Sequence, residues 1–341
     1  MSLTRSFSNP FLLTDLTESL TTIPNQWSLV NDMGLFRDEP VAANSVTIEE
    51  SNKTLALIGD SVRGGGRNKV NKDDNRKLHS LVIPHFNLSD YILPSDLVIK
   101  RAYGQATAED TEAEVMARKL ARIQRNWDAT MEAARCQAIT AGTVYAPNGT
   151  VAINYFTEFG YTQTTQNFVF SSGTTDVVAG IEAVIAAVQD NLVSGETVTG
   201  VRFLCSPGFF SSLIGHAKVT QAYLYFSSNA GNNPNRDRLG GQGLFRRFEY
   251  AGAEFVEYRG VFNGTPLIPA NEAYAIPLGT QDMFVTHYGP AEKFGLVNTV
   301  GEKAYVWTYR DQYDEQIEIQ TESNFMNLIR RPQAVIKCTK S

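Results

Sequence analysis

The residues best suited to chemistry lie in one glycine-rich, basic stretch of the chain. Gly64, Gly65 and Gly66 are followed by Arg67 and Lys69, and a glycine-rich loop with basic side chains can hold a phosphate. A phosphate-binding loop of the Walker type ends in Lys-Ser or Lys-Thr and opens a helix, and this stretch has neither feature. The pattern therefore favours a solvated loop. A two-domain α/β enzyme that binds a phosphate at this loop is kept as an alternative hypothesis.

The other residue types that catalyse reactions or bind metals are not arranged for either task. None of the four histidines lies three to five residues from another His or Cys, the spacing that favours zinc. No Gly-x-Ser-x-Gly motif marks a nucleophilic serine. The three cysteines are far apart, so they predict neither a disulfide framework nor a metal knuckle. The sequence therefore predicts no catalytic residue, no cofactor and no metal site.

Composition and charge restrict the class of protein and its partners. Hydrophobic residues make up 43% and charged residues 19% of the 341 residues, as in a folded globular protein. The formal net charge is −6 and residues 136–201 contain no Lys or Arg, so that stretch cannot neutralise phosphate groups. No apolar run approaches the roughly 18 residues of a membrane span, and we find no export signal. If the protein lies near DNA, we expect it to enclose the DNA without reading its sequence.

The elements around the basic stretch predict long projections. Residues 1–45 indicate an extended arm with apolar anchors such as Phe11 and Trp27, which need the same subunit or a neighbour to bury them. Residues 46–100 predict an extended β-hairpin with strands at Val46–Gly59 and Lys77–Leu88. We predict that its basic tip contacts an acidic surface of another copy. The tip residues that we expect to make this contact are Arg63, Gly64, Gly65, Gly66, Arg67 and Lys69.

The strongest local pattern is a helix over residues 107–140, which Gly142 would end. Its apolar residues recur every three or four positions and form one stripe: Met116, Leu120, Ile123, Trp127, Met131, Ala134 and Ala138. We expect the charged residues to face away from this stripe: Arg118, Arg122, Arg125, Glu132 and Arg135. At 1.5 Å per residue the helix would be about 50 Å long, a strut that few compact enzymes need.

Shorter elements follow the long helix. Thr143–Phe159 indicates a short β region, and Asp176 is expected to cap a second helix. Val198–Cys205 predicts a strand, and Ser206 with the proline after it predicts the start of a third helix. A further hairpin is predicted between Phe245 and Tyr258. The helix, strand and helix together indicate a small α/β module.

In this order, the predicted elements resemble the tailed-phage capsid fold. Several motifs carry a more specific resemblance to the major capsid protein E family of lambda-like phages, over essentially the whole chain. These motifs are Ser61-Val62-Arg63-Gly64-Gly65, Ile83-Pro84-His85-Phe86, Gly149-Thr150-Val151, Phe159-Gly160, Cys205-Ser206 to Ala222-Tyr223, Val297-Asn298-Thr299, Gly301, Tyr305 and Glu322-Ser323-Asn324 to Arg331-Pro332.

The resemblance implies an α+β fold, the tailed-phage major capsid fold of the Hong Kong 97 type. Its parts would be an N-terminal arm at 1–45, an extended β-hairpin loop at 46–100 and a peripheral domain with the spine helix (107–140) at 101–169. An α/β axial domain would follow at 170–283, and residues 284–341 would return to the peripheral β platform as its C-terminal strands.

The resemblance also implies a function, that of a major capsid protein without enzymatic activity. Such a protein self-assembles into hexamers and pentamers, and these form the icosahedral head that encloses double-stranded phage DNA. The implied partners are further copies of the chain, a separately encoded scaffold, a portal and, in part of such families, a decoration protein, with no membrane. The protein would be located in the virion after assembly in the cytoplasm of the host bacterium. An encapsulin-like bacterial compartment, which shares the fold, is kept as a second hypothesis.

Overall fold

The computed structural model describes residues 27–52, 75–97, 112–192, 196–222, 245–262 and 264–341. Its helices include α1 (Leu29–Asp32), α2 (Pro94–Leu97), α3 (Glu112–Ala141), α4 (Tyr155–Phe159), α5 (Val177–Asn191) and α6 (Pro207–Gly215). Its strands include β1 (Arg37–Pro40), β2 (Ser45–Asn52), β3 (Asn75–Val82), β4 (His85–Ile92), β5 (Thr165–Phe168), β6 (Gly200–Cys205), β7 (Arg247–Tyr250), β8 (Ala253–Glu257), β9 (Val261–Phe262), β10 (Thr265–Pro266), β11 (Glu272–Leu278), β12 (Phe284–Tyr288), β13 (Tyr305–Arg310), β14 (Ile317–Ile329) and β15 (Ile336–Lys340). This mixture of helices and strands confirms the predicted α+β class.

Two sheets form the body. The five-stranded sheet has the order β1-β12-β14-β13, with β4 also paired to β14. The six-stranded sheet has the order β5-β15-β11-β6-β8-β7. The long strand β14 is the centre of the five-stranded sheet, because β4 and β13 pair along its first part and β12 along its last five residues.

The long helix α3 packs on the five-stranded sheet. Within the described residues it begins at Glu112 and ends at Ala141, and Gly142 follows with a φ of +62°. A Cβ at Gly142 would also collide with the ring of Phe156, so the predicted helix end is confirmed. Ile123 from the predicted stripe is buried against Ile319 of β14. Glu132 and Arg135, which the sequence places off the stripe, are buried as well, since only 0% and 8% of their surfaces are exposed.

The six-stranded sheet is covered by the α/β module. Asp176 accepts a hydrogen bond from the N–H of Ala179, and Ser206 accepts one from the N–H of Phe209, so both predicted helix caps are confirmed. Helices α5 and α6 bury apolar side chains against the sheet, in a cluster that also contains Cys205 and Cys338. Both cysteines have no exposed surface there.

The described part of the predicted arm packs on the body of its own chain. Leu29, Val30 and Phe36 are buried there, and β1 adds to β12 as a parallel edge strand. The sequence leaves open whether the arm is buried by its own subunit or by a neighbour, and residues 27–45 pack on their own subunit.

The predicted hairpin is shorter on its return side than the sequence indicates. β2 and β3 pair antiparallel from Ser45 opposite Val82 to Asn52 opposite Asn75. The expected continuous strand Lys77–Leu88 is wrong, because the chain leaves the hairpin at Pro84 and continues as β4 in the five-stranded sheet. Proline has no N–H for a strand ladder, which favours a change of partner at this position.

Two other regions differ from the sequence prediction. Tyr155–Phe159 forms a helix instead of a strand, because Asn154 accepts hydrogen bonds from the N–H groups of Phe156 and Thr157 and Gly160 ends the turn at a φ of +69°. The final strand β15 lies in the six-stranded sheet between β5 and β11. The strands of residues 284–341 are thus shared between the two sheets.

Candidate functional site

The residues predicted to contact other copies fall into two groups. Phe11 and the tip residues Arg63, Gly64, Gly65, Gly66, Arg67 and Lys69 lie outside the described residues, and their role stays a prediction. Trp27 is described, and its ring centroid lies 6.4 Å from that of Phe245 and 6.0 Å from that of Tyr258. Because the ring is only half-buried, a contact with another copy also stays a prediction.

A buried carboxylate joins the arm to the body. Glu132 on α3 accepts hydrogen bonds from the backbone N–H groups of Val30 (2.9 Å) and Asn31 (2.8 Å) and from the hydroxyl of Tyr258 (2.6 Å). Burial raises the pKa of Glu132, while the three hydrogen bonds and the nearby Arg135 act in the opposite direction. The carboxylate therefore holds the first turn of α1, whose N–H groups have no partner within so short a helix.

Arg135, one turn further along α3, holds the same segment from its other side. Its guanidinium donates to the side-chain oxygens of Asn31 (2.9 Å) and Thr286 (3.4 Å) and lies 3.8 Å from the carboxylate of Asp38. It also lies over the ring of Phe36, 5.3 Å from the centroid. Glu132 and Arg135 together connect residues 27–40 to α3 and to β12.

The sequence contains one signal for this buried pair. The last part of α3 carries small or apolar residues on several sides, including Ala134, Cys136 and Ile139, and a helix that is apolar on more than one face is enclosed. This composition, taken as stronger evidence than the single apolar stripe, predicts that Glu132 and Arg135 are buried. The identity of their partners is not local, because Val30 and Tyr258 are 102 and 126 positions away.

The hairpin stem has one packed and one open face. His79 of β3 lies 3.1 Å from a carboxylate oxygen of Glu158 and meets the ring of Phe159 edge-on at 5.1 Å. On the opposite face of the same strand, Leu78 is 73% and Val82 is 52% exposed. The stem is thus attached to its own subunit on one side and presents apolar side chains on the other.

A groove runs between α3 and the five-stranded sheet. Its volume is about 670 Å³, and its walls include Leu120, Trp127, Met131, Val306 and Phe325. The indole N–H of Trp127 donates to the hydroxyl of Thr321, so the groove leaves no polar atom of this side chain without a partner. Its polar rim is formed mainly by Asn31, Asp128, Arg135 and Lys303.

The opposite side of the same sheet is polar and aromatic. The ammonium group of Lys293 lies 5.0 Å from the ring centroid of Trp307 and 5.5 Å from that of Tyr309, within the range of cation–π attraction. A shallow depression of about 330 Å³ beside these rings includes Glu292, Glu318 and Glu322 in its lining. The adjoining loop exposes three apolar side chains: Phe294, Val297 and Val300.

The described residues do not form a recognisable reaction centre. No group of three or more His, Cys, Asp or Glu side chains in the described ranges is placed to hold a metal ion. Burial raises the pKa of the Cys136 and Cys205 thiols well above the ordinary value, which keeps them from acting as thiolate nucleophiles. Within the same ranges, the helices are too short or too polar to span a bilayer. The described surface instead carries apolar and charged areas that can contact another molecule.

Comparison with known proteins gives matches along the whole chain. The family model described as phage major capsid protein E matches residues 13–340. The major capsid protein of Pseudomonas phage KPP10 is 39% identical over 346 aligned residues, which cover 97% of each chain. The major capsid protein of Salmonella phage Felix O1 is 27% identical and covers 98% of this chain and 97% of its own.

A solved structure is similar in fold. The capsid of the Myoviridae phage XM1 matches with a TM-score of 0.54 at 10% identity, over 95% of both chains. At this identity the similarity concerns the arrangement of helices and strands. It agrees with the capsid fold that the order of elements predicts.

Proposed function

The chain belongs to the phage major capsid protein E family, and from that membership we propose how its copies build and use a shell. Its function is that of a major capsid protein, a structural subunit that self-assembles into a multimeric shell and forms part of the virion. The match over residues 13–340 is the observation that carries this function. We propose further that the copies form hexamers and pentamers of an icosahedral head, that this head encloses double-stranded DNA, and that the protein catalyses no reaction.

Contacts between copies use the projections. The arm with Phe11 and Trp27 and the hairpin tip with Arg67 and Lys69 are the proposed contact segments. Support comes from the open face of the hairpin stem, where Leu78 is 73% exposed, because exposed apolar side chains grouped on one surface are typical of binding sites. The remaining proposed contact residues in the tip are Arg63, Gly64, Gly65 and Gly66.

The acidic surface that receives the basic tip is proposed to be the depression around Glu292, Glu318 and Glu322. Glu292 is exposed there and Glu318 is partly exposed, whereas the carboxylate of Glu322 is buried and accepts hydrogen bonds from the backbone N–H of Glu292 and the amide of Asn324. The aromatic neighbours of the depression already hold the ammonium group of Lys293. Opposite charges on two copies favour one orientation of contact and weaken as salt is added. Reversal of charge at Arg67 and Lys69 should therefore lower particle yield, and the loss should be greater at low than at high ionic strength.

The domain division of the fold is kept as a proposal with one change. Residues 1–45 are the arm, 46–100 the extended hairpin loop, 101–169 the peripheral domain with the spine helix and 170–283 the axial domain. Residues 284–341 return to the peripheral domain, except that β15 pairs with β11 of the axial sheet.

Other partners follow from the role of a shell. We propose a scaffold, a portal and a decoration protein as partners, with assembly in the cytoplasm of the host bacterium. Contact with DNA is proposed to be independent of sequence, because residues 136–201 lack Lys and Arg. An encapsulin-like compartment would enclose proteins instead.

Electron microscopy and nuclease protection test the proposal together. The chain is produced with the scaffold and portal of its phage, and purified particles are imaged and treated with nuclease. Closed particles with fivefold and sixfold clusters and protected double-stranded DNA are expected. Persistent monomers, or particles that protect protein cargo and no DNA, would overturn it.

A further inference from the structure

Three arginines form a row on the solvent side of α3. Arg118, Arg122 and Arg125 are exposed and follow one another at intervals of four and three residues, so they lie on one face of the helix. The apolar residues that attach α3 to the sheet, including Ile123 and Trp127, lie on the other side of the helix. These three residues are called the arginine row.

The subunit itself compensates the charge of the arginine row only in part. Glu114 lies one turn before Arg118, at the spacing of a helical ion pair. Among the described residues, none forms a hydrogen bond or an ion pair with Arg122 or Arg125, whereas Lys119 is ion-paired within the subunit. Arg118 and Arg122 are four residues apart, and like charges at that spacing destabilise a helix. An anionic partner would remove this repulsion.

The chemistry of the row suits phosphate groups. A guanidinium group can donate two parallel hydrogen bonds to one phosphate. The Cβ atoms of residues three or four positions apart on a helix are about 5–6 Å apart, so the three side chains can contact neighbouring phosphates of one strand. A protein partner would normally meet aromatic or aliphatic side chains at the centre of an interface. On this face of α3 the row is accompanied by Ala121 and Ala129, which let a nucleic-acid backbone approach the helix closely.

Double-stranded DNA is the source of phosphate that the proposed shell supplies. Positive charge is absent from residues 136–201, so the contact of one copy with DNA is limited to a few phosphates. Such a contact is weak for one copy and becomes strong when many copies of a shell face the same DNA. It also carries no information about base sequence, because phosphate contacts are the same for every base.

We propose that the arginine row of α3 binds the phosphate backbone of the enclosed DNA, with α3 on the inner wall of the shell. The inference rests on the proposed enclosure of DNA and names the surface that touches the DNA. The opposite side of the five-stranded sheet, which carries Ser89 and Lys293, then faces away from the DNA.

Photochemical cross-linking in DNA-filled particles tests this contact. Ala121→Cys places an exposed thiol beside the arginines and keeps all three of them. Ser89→Cys, which is exposed on the opposite side of the sheet, is the matched control. The thiols are labelled with azidophenacyl bromide, the particles are irradiated, and the protein joined to DNA is measured per labelled thiol. The three native cysteines are at most 1% exposed, which confines the label to the introduced thiol.

The expected result is at least about tenfold more DNA adduct from Ala121→Cys than from Ser89→Cys, because only the first thiol lies beside a phosphate contact. Equal yields, or a stronger adduct from Ser89→Cys, would overturn the inference and leave the enclosure of DNA standing. Wild-type particles that contain no DNA would instead count against the proposed function.

The salt dependence of DNA binding by the unassembled full-length chain gives a second measurement, which needs no assembly. Each phosphate contact contributes about 0.9 to the negative slope of log Kobs against the logarithm of the salt concentration. Arg122→Gln combined with Arg125→Gln should therefore reduce this slope by about 1.8. Arg247→Gln, at an exposed arginine of β7, is the control and should leave the slope unchanged.

An unchanged slope in the double variant would contradict the proposed contact. If the double variant with an unchanged slope also failed to co-assemble with the scaffold, the row would bind an acidic surface of the scaffold, and the inference would be overturned in favour of that partner.

Discussion

Replacement of Glu132 by alanine should detach the arm segment from the body of the subunit. The carboxylate has no exposed surface and accepts three hydrogen bonds, from Val30, Asn31 and Tyr258. Alanine offers no acceptor, so two backbone N–H groups and one hydroxyl lose their partner. The perturbation acts on a single residue and affects contacts to two distant segments.

The expected loss of stability follows from these contacts. A buried donor without an acceptor costs about 1–3 kcal/mol, so three such donors, if they all stayed buried, would cost more than any single lost hydrogen bond. The chain can limit this cost by releasing α1 to water, which gives up the burial of Leu29 and Val30, each worth about 1.5–3 kcal/mol. Loss of one member of a buried charged group typically costs about 3–5 kcal/mol. We therefore expect Glu132→Ala to lower the free energy of unfolding by about 3–5 kcal/mol.

A conservative variant separates charge from hydrogen bonding. Glutamine keeps one carbonyl oxygen for the N–H of Val30 and the hydroxyl of Tyr258, but it turns an NH2 group toward the N–H of Asn31. Glu132→Gln should therefore lose about 1–3 kcal/mol. Arg122→Ala, at an exposed position of the same helix, is the control and should change the free energy of unfolding by less than about 0.5 kcal/mol.

Urea unfolding of the unassembled subunit measures these differences. Trp27 lies 6.0 Å from Tyr258, so its fluorescence reports on the attachment of the arm segment. The reasoning is refuted if Glu132→Ala loses no more than about 0.5 kcal/mol, the range of an ordinary surface substitution.

Four further outcomes are expected. Burial raises the pKa of Glu132 above its ordinary 4.5, so the folded state binds the carboxyl proton more tightly than the unfolded chain does. The stability of the wild type relative to Glu132→Gln should therefore be highest below pH 4.5 and fall as the pH rises through the folded pKa. A stability difference that does not change with pH in urea titrations would contradict this. Burial lowers the pKa of His287 below 6.5, so the free energy of unfolding should stay constant above pH 6.5 and decrease as the pH falls toward the folded pKa. His287→Leu should reduce the slope of the free energy of unfolding against pH. An identical slope in both proteins would refute this. In Gly301→Ala the new Cβ would collide with the backbone of Tyr288 and Gly289, so a loss of about 1–3 kcal/mol is expected, whereas Gly295→Ala, whose Cβ meets no described atom within 4 Å, should unfold like the wild type. Leu78→Asp with Val82→Asp should leave urea unfolding unchanged and reduce the particle yield seen by electron microscopy, compared with Val261→Asp, which is 44% exposed elsewhere; full yield would exclude the hairpin stem as a contact.

Local signals in the sequence predict the ends of helices well. Asp176 and Ser206 cap helices as expected, and α3 stops at Gly142. Each of these outcomes depends on a few neighbouring residues and on the geometry of one turn. The order of such elements was also enough to predict the capsid fold, since order does not depend on knowing any single contact, and the family was predicted from the motifs.

Contacts between distant segments were not predictable in the same way. A helical stripe identifies the face of α3 that meets one sheet, but the opposite side becomes buried only when α1 and Tyr258 pack on it. Residues 77–88 are similarly apolar on both sides of Pro84, although β3 pairs with β2 and β4 pairs with β14. In both cases the missing information is which partner the chain meets, which depends on the whole fold.

The described surface separates the contacts that fold the subunit from those available for assembly. The two sheets and their helices bury their apolar side chains within one chain, and Glu132 and Arg135 attach the arm segment to the same body. The uncovered apolar surface lies instead on the hairpin stem, in the α3 groove and on the loop of Phe294, Val297 and Val300. Because folding does not use the open surfaces, a subunit can fold first and keep these surfaces for contacts with its neighbours. Substitutions on the open surfaces should therefore affect assembly without affecting unfolding, while substitutions at Glu132 should affect both.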